Sequence, residues 1–187
     1  MGVSRSVLLG GAFDPPHLGH VALADAARLH FAVERLVVLV SERPGHRTVQ
    51  APAADRLALA RAAFPRDDVR LDPYPYTVEL LRAESFPDPL LVLGADELRR
   101  FCRWREPDEV LQRARLAVAA RPGVSRAELE PVLRRLARPD RVVFFELEPC
   151  PASSTEARRR AAAGDPLDDL VPAAVARLIE QRGLYRP

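Results

Sequence analysis

Six short apolar runs recur along the chain, and their pattern limits its fold more than any other feature. They are Ser6–Leu9, Leu36–Val40, Val69–Leu71, Leu90–Leu93, Leu116–Ala119 and Val142–Leu147. Most are unbroken rather than alternating, as strands buried on both faces require. Helix-like stretches separate them: Leu18–Phe31, Ala54–Ala63, Thr77–Glu84, Pro107–Arg113 and Ser125–Leu136. Two more, Ser154–Ala163 and Pro172–Arg182, follow the last run. Glu106 or Asp108 marks the start of the fourth stretch, and Ser125 the start of the fifth. Pro131 lies inside that fifth stretch and is where it would break in two. Strand and helix in alternation predict a doubly wound α/β domain. A length of 187 residues suits one such domain over residues 1–187.

In such sheets ligands bind beyond the carboxyl ends of the strands, where the topology switches. Three stretches fall there: Gly10–His20 after the first run, "GADEL" (94–98) after the fourth and "PASSTEARRR" (151–160) after the sixth. Composition narrows the ligand. The net charge of +2 is too even a balance for a large nucleic-acid footprint. No apolar run nears the roughly 18 residues of a membrane helix, and the N-terminal run is too short for a signal peptide. Cys102 and Cys150 lie far apart without CxxC spacing and read as free thiols of a cytoplasmic protein. All 28 basic side chains are arginine, so any phosphate-binding cation must be arginine or histidine.

The densest stretch is "GGAFDPPHLGH", residues 10–20. Gly10 and Gly11 let a ligand approach the backbone and leave N–H groups to meet it. Pro15 and Pro16 stop the strand and stiffen the turn. His17 and His20 are three apart at a helix start, so they share a face, and Gly19 between them leaves room for a bulky ligand. A helix N-terminus attracts phosphate, and imidazoles donate hydrogen bonds to phosphate in either protonation state. A metal pair fits less well, because helical zinc ligands are spaced i, i+4 with others nearby.

Two further stretches carry alternatives that the residues alone leave open. In "SSTEAR", Ser153, Ser154 and Thr155 offer hydroxyls and N–H groups to a phosphate with Arg158 one turn in, or they simply cap a helix. The loop "SERPGHRTVQAP" (41–52), with Arg43, His46 and Arg47, is an ordinary solvated loop or a cationic flap over phosphates. Trp104 in "FCRWRE" is core or a ligand platform, and Arg99, Arg100, Arg103 and Arg105 form a solvated helix face.

These stretches together resemble a known family. "GGAFDPPHLGH" resembles the GGxFDPxHxGH signature of bacterial nicotinate-nucleotide adenylyltransferases, members of the nucleotidylyltransferase superfamily marked by HxGH and a C-terminal S/T-x-x-R. "PGHR" (44–47) looks like the family's PPHK loop, "YTVELL" (76–81) like its SYT-x-x-TL stretch and "LVLGADELRRFCRW" (91–104) like its GAD-x-L…W block. "ARPG" (120–123), "SSTEARRR" (153–160), "LVPAAVARLI" (170–179) and "GLYR" (183–186) also fit, in order along the whole chain.

The resemblance implies a Rossmann-like, doubly wound, mostly parallel sheet with helices on both faces. It implies that ATP and nicotinate mononucleotide give deamido-NAD and pyrophosphate in NAD biosynthesis, with Mg²⁺ carried by the ATP phosphates and no metal ligand from the protein. His17, His20 and Arg158 would be catalytic. Gly10, Gly11, Ala12, Phe13, Gly94, Ser154 and Thr155 would join them at ATP, and Asp96 would contact ribose or fix the Gly94 turn. Arg47, Tyr76, Thr77 and Trp104 would hold the mononucleotide, with Trp104 stacked on the pyridine. Partners would be these small molecules, with neither nucleic acid nor membrane; a homo-oligomer is compatible with the pattern. Two positions depart from it. Ala12 stands where the family has Thr or Ser, and Arg47 where it has Lys, a longer planar cation. Alternatives are the same chemistry on nicotinamide mononucleotide or phosphopantetheine, and a non-catalytic nucleotide-binding module.

Overall fold

A computed structural model describes residues 5–45, 48–120 and 126–186. All six apolar runs become strands: β1 (Val7–Gly11), β2 (Val37–Ser41), β3 (Asp68–Asp72), β4 (Leu90–Gly94), β5 (Arg115–Ala120) and β6 (Val142–Glu146). They form one sheet in the order β3-β2-β1-β4-β5-β6. Every strand pair is parallel, so the expected mostly parallel sheet is wholly so among the described residues. The helices are α1 (Leu18–Phe31), α2 (Ala53–Ala63), α3 (Thr77–Ala83), α4 (Ala95–Phe101), α5 (Pro107–Arg113), α6 (Arg126–Leu133), α7 (Ser154–Ala163) and α8 (Ala173–Arg182).

Unbroken apolar strands follow from two cores. Val7 and Leu9 of β1, Val38 and Val40 of β2, and Leu90 and Val92 of β4 face one side, where α1, α2, α7 and α8 cover them. Leu8, Leu39 and Leu91 face the other, beneath α3, α4, α5 and α6. Each strand therefore buries successive side chains in opposite directions. The chain runs β1, β2, β3 one way and then returns past β1 to start β4. The crossover helices change face at that return, which makes the β1/β4 boundary the switch point. Register marks the same place. β1 pairs with β2 as far as Gly11 opposite Val40, but with β4 only from Val7 opposite Leu90 to Leu8 opposite Leu91. The paired ladder between β1 and β4 thus stops short of their carboxyl ends, where Gly10 and Gly94 lie.

Two helices differ from expectation. α4 starts directly after β4 with Gly94 as its cap and no side-chain cap bond. Its seven residues are too few to print a helical period. Pro131 sits inside α6 without splitting it. The helix ends three residues early, and its end tightens into bonds from Arg135 N–H to Val132 O and from Leu136 N–H to Leu133 O. Ser125, the expected cap, lies outside the described residues. Among those described, no helix is long and apolar enough to cross a membrane.

Candidate active site

His17 caps α1, and its Nδ1 accepts the Gly19 N–H at 3.1 Å. His20 answers: its Nδ1 accepts the His17 N–H, also at 3.1 Å. With Nδ1 used as an acceptor, each neutral ring carries its proton on Nε2 and is a donor there. The ring centroids lie 3.7 Å apart. Burial pushes the His17 pKa down to about 4, so this imidazole is neutral near pH 7. Two imidazoles stacked this closely could not both charge without strong repulsion. In its neutral form each ring therefore presents one Nε2–H donor.

Gly19 has a different role from the one expected. A Cβ there would lie 3.0 Å from Cε1 and Nδ1 of His17. Its bareness makes room for the His17 ring, not for a ligand. The α1 terminus also departs from the expected phosphate cradle. Its N–H groups are taken: Leu18 donates to Leu170 O at 2.9 Å, Gly19 to His17, and His20 to His17 O at 2.9 Å. The imidazoles, not the helix backbone, carry the donor function at this end.

The α7 terminus is the open one. Ser153 caps it by accepting the Glu156 N–H at 3.2 Å. The N–H groups of Ser154 and Thr155 have no acceptor among the described residues. Ser154 Oγ donates to Pro15 O at 2.8 Å, and Arg158 Nη1 donates to Asp14 O at 2.7 Å. Arg158 Nη2 lies 3.5 Å from Thr155 Oγ1. Stretches 139 and 144 residues apart in sequence are thereby brought together.

Around this junction, Gly10 is exposed at the end of β1, and nothing lies within 4 Å of where a Cβ would stand. Gly94, across the switch point, is equally open. Gly11 is explained internally, since its Cβ would press within 3.0–3.3 Å of the Phe13 ring. Phe13 itself is buried at φ +50°, with its ring 5.1 Å from His20 and 5.7 Å from Phe64. Any contact it makes with a ligand must come from its backbone. Ala12 O accepts from Arg56 at 2.8 Å. Asp96 does not fix the Gly94 turn: its exposed carboxylate pairs with Arg99 at 2.7 Å, one turn along α4.

The second expected subsite also lies at the carboxyl edge. Tyr76 is exposed just before Thr77 opens α3, and the Arg105 guanidinium stands 5.6 Å over its ring. Beside Arg105, Trp104 is half-buried against Phe101 at 5.1 Å, and its Nε1 donates to Glu97 at 3.3 Å. Trp104 is thus partly core while remaining partly open. Arg47 and His46 lie outside the described residues. The end of their loop is tied down, because Gln50 and Ala51 donate N–H groups to the Asp14 carboxylate at 2.7 and 3.0 Å.

Two residues escaped the sequence reading. Asp14 is 3 % exposed, and its carboxylate also accepts the Tyr185 hydroxyl at 2.9 Å. Arg56 is fully buried and donates to four carbonyls, those of Ala51, Ala12, Ser41 and Glu42. It staples the ends of β1 and β2 beside Asp14. The available signal was an arginine amid the small apolar residues of "AADRLALARAA". Among the described residues no three His, Cys, Asp or Glu side chains gather to hold a metal ion. An open depression lined by Glu34, Arg35, Pro65, Arg66 and Asp67 lies before β2 and β3, at the amino ends of the strands, and holds none of the motif residues.

Residues 8–160 match the cytidylyltransferase-like family. A protein of Bordetella avium named "probable nicotinate-nucleotide adenylyltransferase" is 36% identical, covering 99% of this chain and 100% of its own. One of Roseiflexus with the same name is also 36% identical, over 96% of each chain. The fold is similar to that of the Plasmodium falciparum nicotinic acid mononucleotide adenylyltransferase complexed with NaAD, with a TM-score of 0.77 at 14% identity over 97% of both chains.

Proposed function

Since the chain belongs to the nicotinate-nucleotide adenylyltransferase branch of the cytidylyltransferase-like family, we propose that it transfers the AMP moiety of ATP to nicotinate mononucleotide. The products are deamido-NAD and pyrophosphate, and the step belongs to NAD biosynthesis. One observation carries the reading: beside the switch point, the turn that leads into the His17/His20 pair is joined to the α7 terminus, with Ser154 on Pro15 O and Arg158 on Asp14 O.

In the transfer, a 5′-phosphate oxygen of the mononucleotide forms a bond to the α-phosphorus of ATP. The bond from that phosphorus to the β-phosphate bridging oxygen breaks, and pyrophosphate leaves. Little covalent work falls to the protein, so positioning and charge stabilisation must supply most of the acceleration. The His17 and His20 Nε2–H groups donate to phosphate oxygens as charge develops on them. Neutral imidazoles do this without a proton leaving or arriving. The Ser154 and Thr155 N–H groups receive the triphosphate at the α7 terminus, and Arg158 neutralises the leaving pyrophosphate. Gly10, Gly94 and the Ala12 backbone border the nucleotide, so the missing hydroxyl at Ala12 removes one side-chain contact only. Tyr76, Thr77 and Trp104 border the mononucleotide.

The donor set consists of imidazoles, guanidinium and backbone N–H groups, which suit anions rather than cations. Mg²⁺ would therefore be held by the ATP phosphates, where it would supply partial neutralisation of their charge. The chain works as one nucleotidylyltransferase domain, in the cytoplasm. The test is pyrophosphate release from ATP, Mg²⁺ and nicotinate mononucleotide. Turnover is expected, and its absence in folded protein at micromolar concentration would sink the proposal.

A further inference from the structure

We propose that Tyr185 is a positioning residue for the transfer: acting through the buried Asp14 carboxylate, it fixes the peptide that holds the Arg158 guanidinium. The inference rests on the reaction proposed above. It begins with the end of α8. Gly183 closes that helix in the left-handed region at φ +60°, and the Leu184 N–H returns to Ile179 O at 3.0 Å. The turn sends Tyr185 back into the molecule, buried and itself at φ +64°. A tyrosine held at positive φ just past a helix end is tied there by tertiary contacts rather than local preference.

Its hydroxyl donates to Asp14 Oδ1 at 2.9 Å. Among the described residues, the other donors to that carboxylate are the Gln50 and Ala51 N–H groups. A buried carboxylate bonded from three directions cannot rotate freely, and neither can its own peptide. That peptide is where the site is anchored. Asp14 O receives Arg158 Nη1 at 2.7 Å, the same nitrogen lies 3.9 Å from Asp14 Oδ2, and the next carbonyl, Pro15 O, receives Ser154 Oγ. On the other side, the Phe13 ring supports His20. Among the described residues, Tyr185 is the only side chain of these three donors. It alone can be removed by a single-atom change that leaves a loop's path intact.

The test compares Tyr185→Phe with wild type at saturating ATP and nicotinate mononucleotide. Arg182→Ala serves as control, since it breaks the Arg182–Asp55 ion pair at the same helix end without touching Asp14. We expect kcat of Tyr185→Phe to fall about tenfold with acceptor KM within about twofold, as for a displaced positioning contact. Arg182→Ala should keep its kcat. On an Arg158→Ala background, Tyr185→Phe should cost less than about twofold more, because its route to the phosphates is already cut. A kcat within about twofold of wild type, a loss in KM alone, or an undiminished loss on the Arg158→Ala background would each overturn the inference. A wild type without turnover would overturn the proposed reaction instead, so the two failures are distinguishable.

Discussion

Replacing Gly19 by alanine separates the stability of the histidine pair from its chemistry. Gly19 is the second residue of α1, where alanine is favoured over glycine by up to about 1 kcal/mol. Against that gain, the new Cβ would sit 3.0 Å from the His17 ring. The ring must retreat by a few tenths of an ångström, which weakens the bond from the Gly19 N–H to Nδ1. A cap of this kind is worth about 1 kcal/mol, so the two effects nearly cancel. The expected shift in Tm is no more than a few degrees, since about 1 kcal/mol moves a domain of this size by roughly 2–4 °C. The rate has no such offset. Moving a preorganised donor away from the developing charge should forfeit about 2 kcal/mol of transition-state stabilisation, a loss in kcat of about thirtyfold. Pyrophosphate release and thermal unfolding on the same preparation read both quantities. Wild-type kcat in Gly19→Ala would refute the claim that this glycine exists to seat the His17 ring. So would a drop in Tm as large as the drop in activity demands.

Two further outcomes follow from the buried groups. Arg56→Leu should destabilise the protein by about 3 kcal/mol or more, because it strands four carbonyls and removes a cation from beside the Asp14 carboxylate; denaturant unfolding within about 1 kcal/mol of wild type would contradict that. Burial lowers the His17 pKa from 6.5 to about 4, so the unfolded chain binds the extra proton first. The stability it contributes is complete above pH 6.5 and is lost as pH falls from there towards 4. His17→Gln should therefore flatten the acid limb of the stability curve by up to about 3 kcal/mol, and a limb unchanged by the substitution would contradict the buried, neutral state.

Much of the architecture was legible because unbroken apolar runs leave a parallel sheet few alternatives. All six runs became strands, and the three motif stretches fell at strand ends as the topology required. What was not legible was how the parts touch. The spacing of His17 and His20 predicted a shared face, but not that each Nδ1 would be consumed by backbone and so fix the Nε2–H donors. Gly11 and Gly19 looked alike as ligand clearances, yet both accommodate neighbouring rings. Asp14 stood in plain view within the motif. Its role depends on Gln50, Ala51 and Tyr185, and local pattern carries no information about partners that distant. α4 was missed because seven residues following a strand without a side-chain cap leave no periodic trace.

The most direct test of the account is an acceptor panel. Purified protein is supplied with ATP and Mg²⁺ and, in parallel, with nicotinate mononucleotide, nicotinamide mononucleotide or phosphopantetheine, and kcat/KM is measured from pyrophosphate release. The account predicts turnover with nicotinate mononucleotide at the highest kcat/KM of the three, with deamido-NAD as the product. A preference for phosphopantetheine, or ATP binding by calorimetry without turnover of any acceptor, would contradict it.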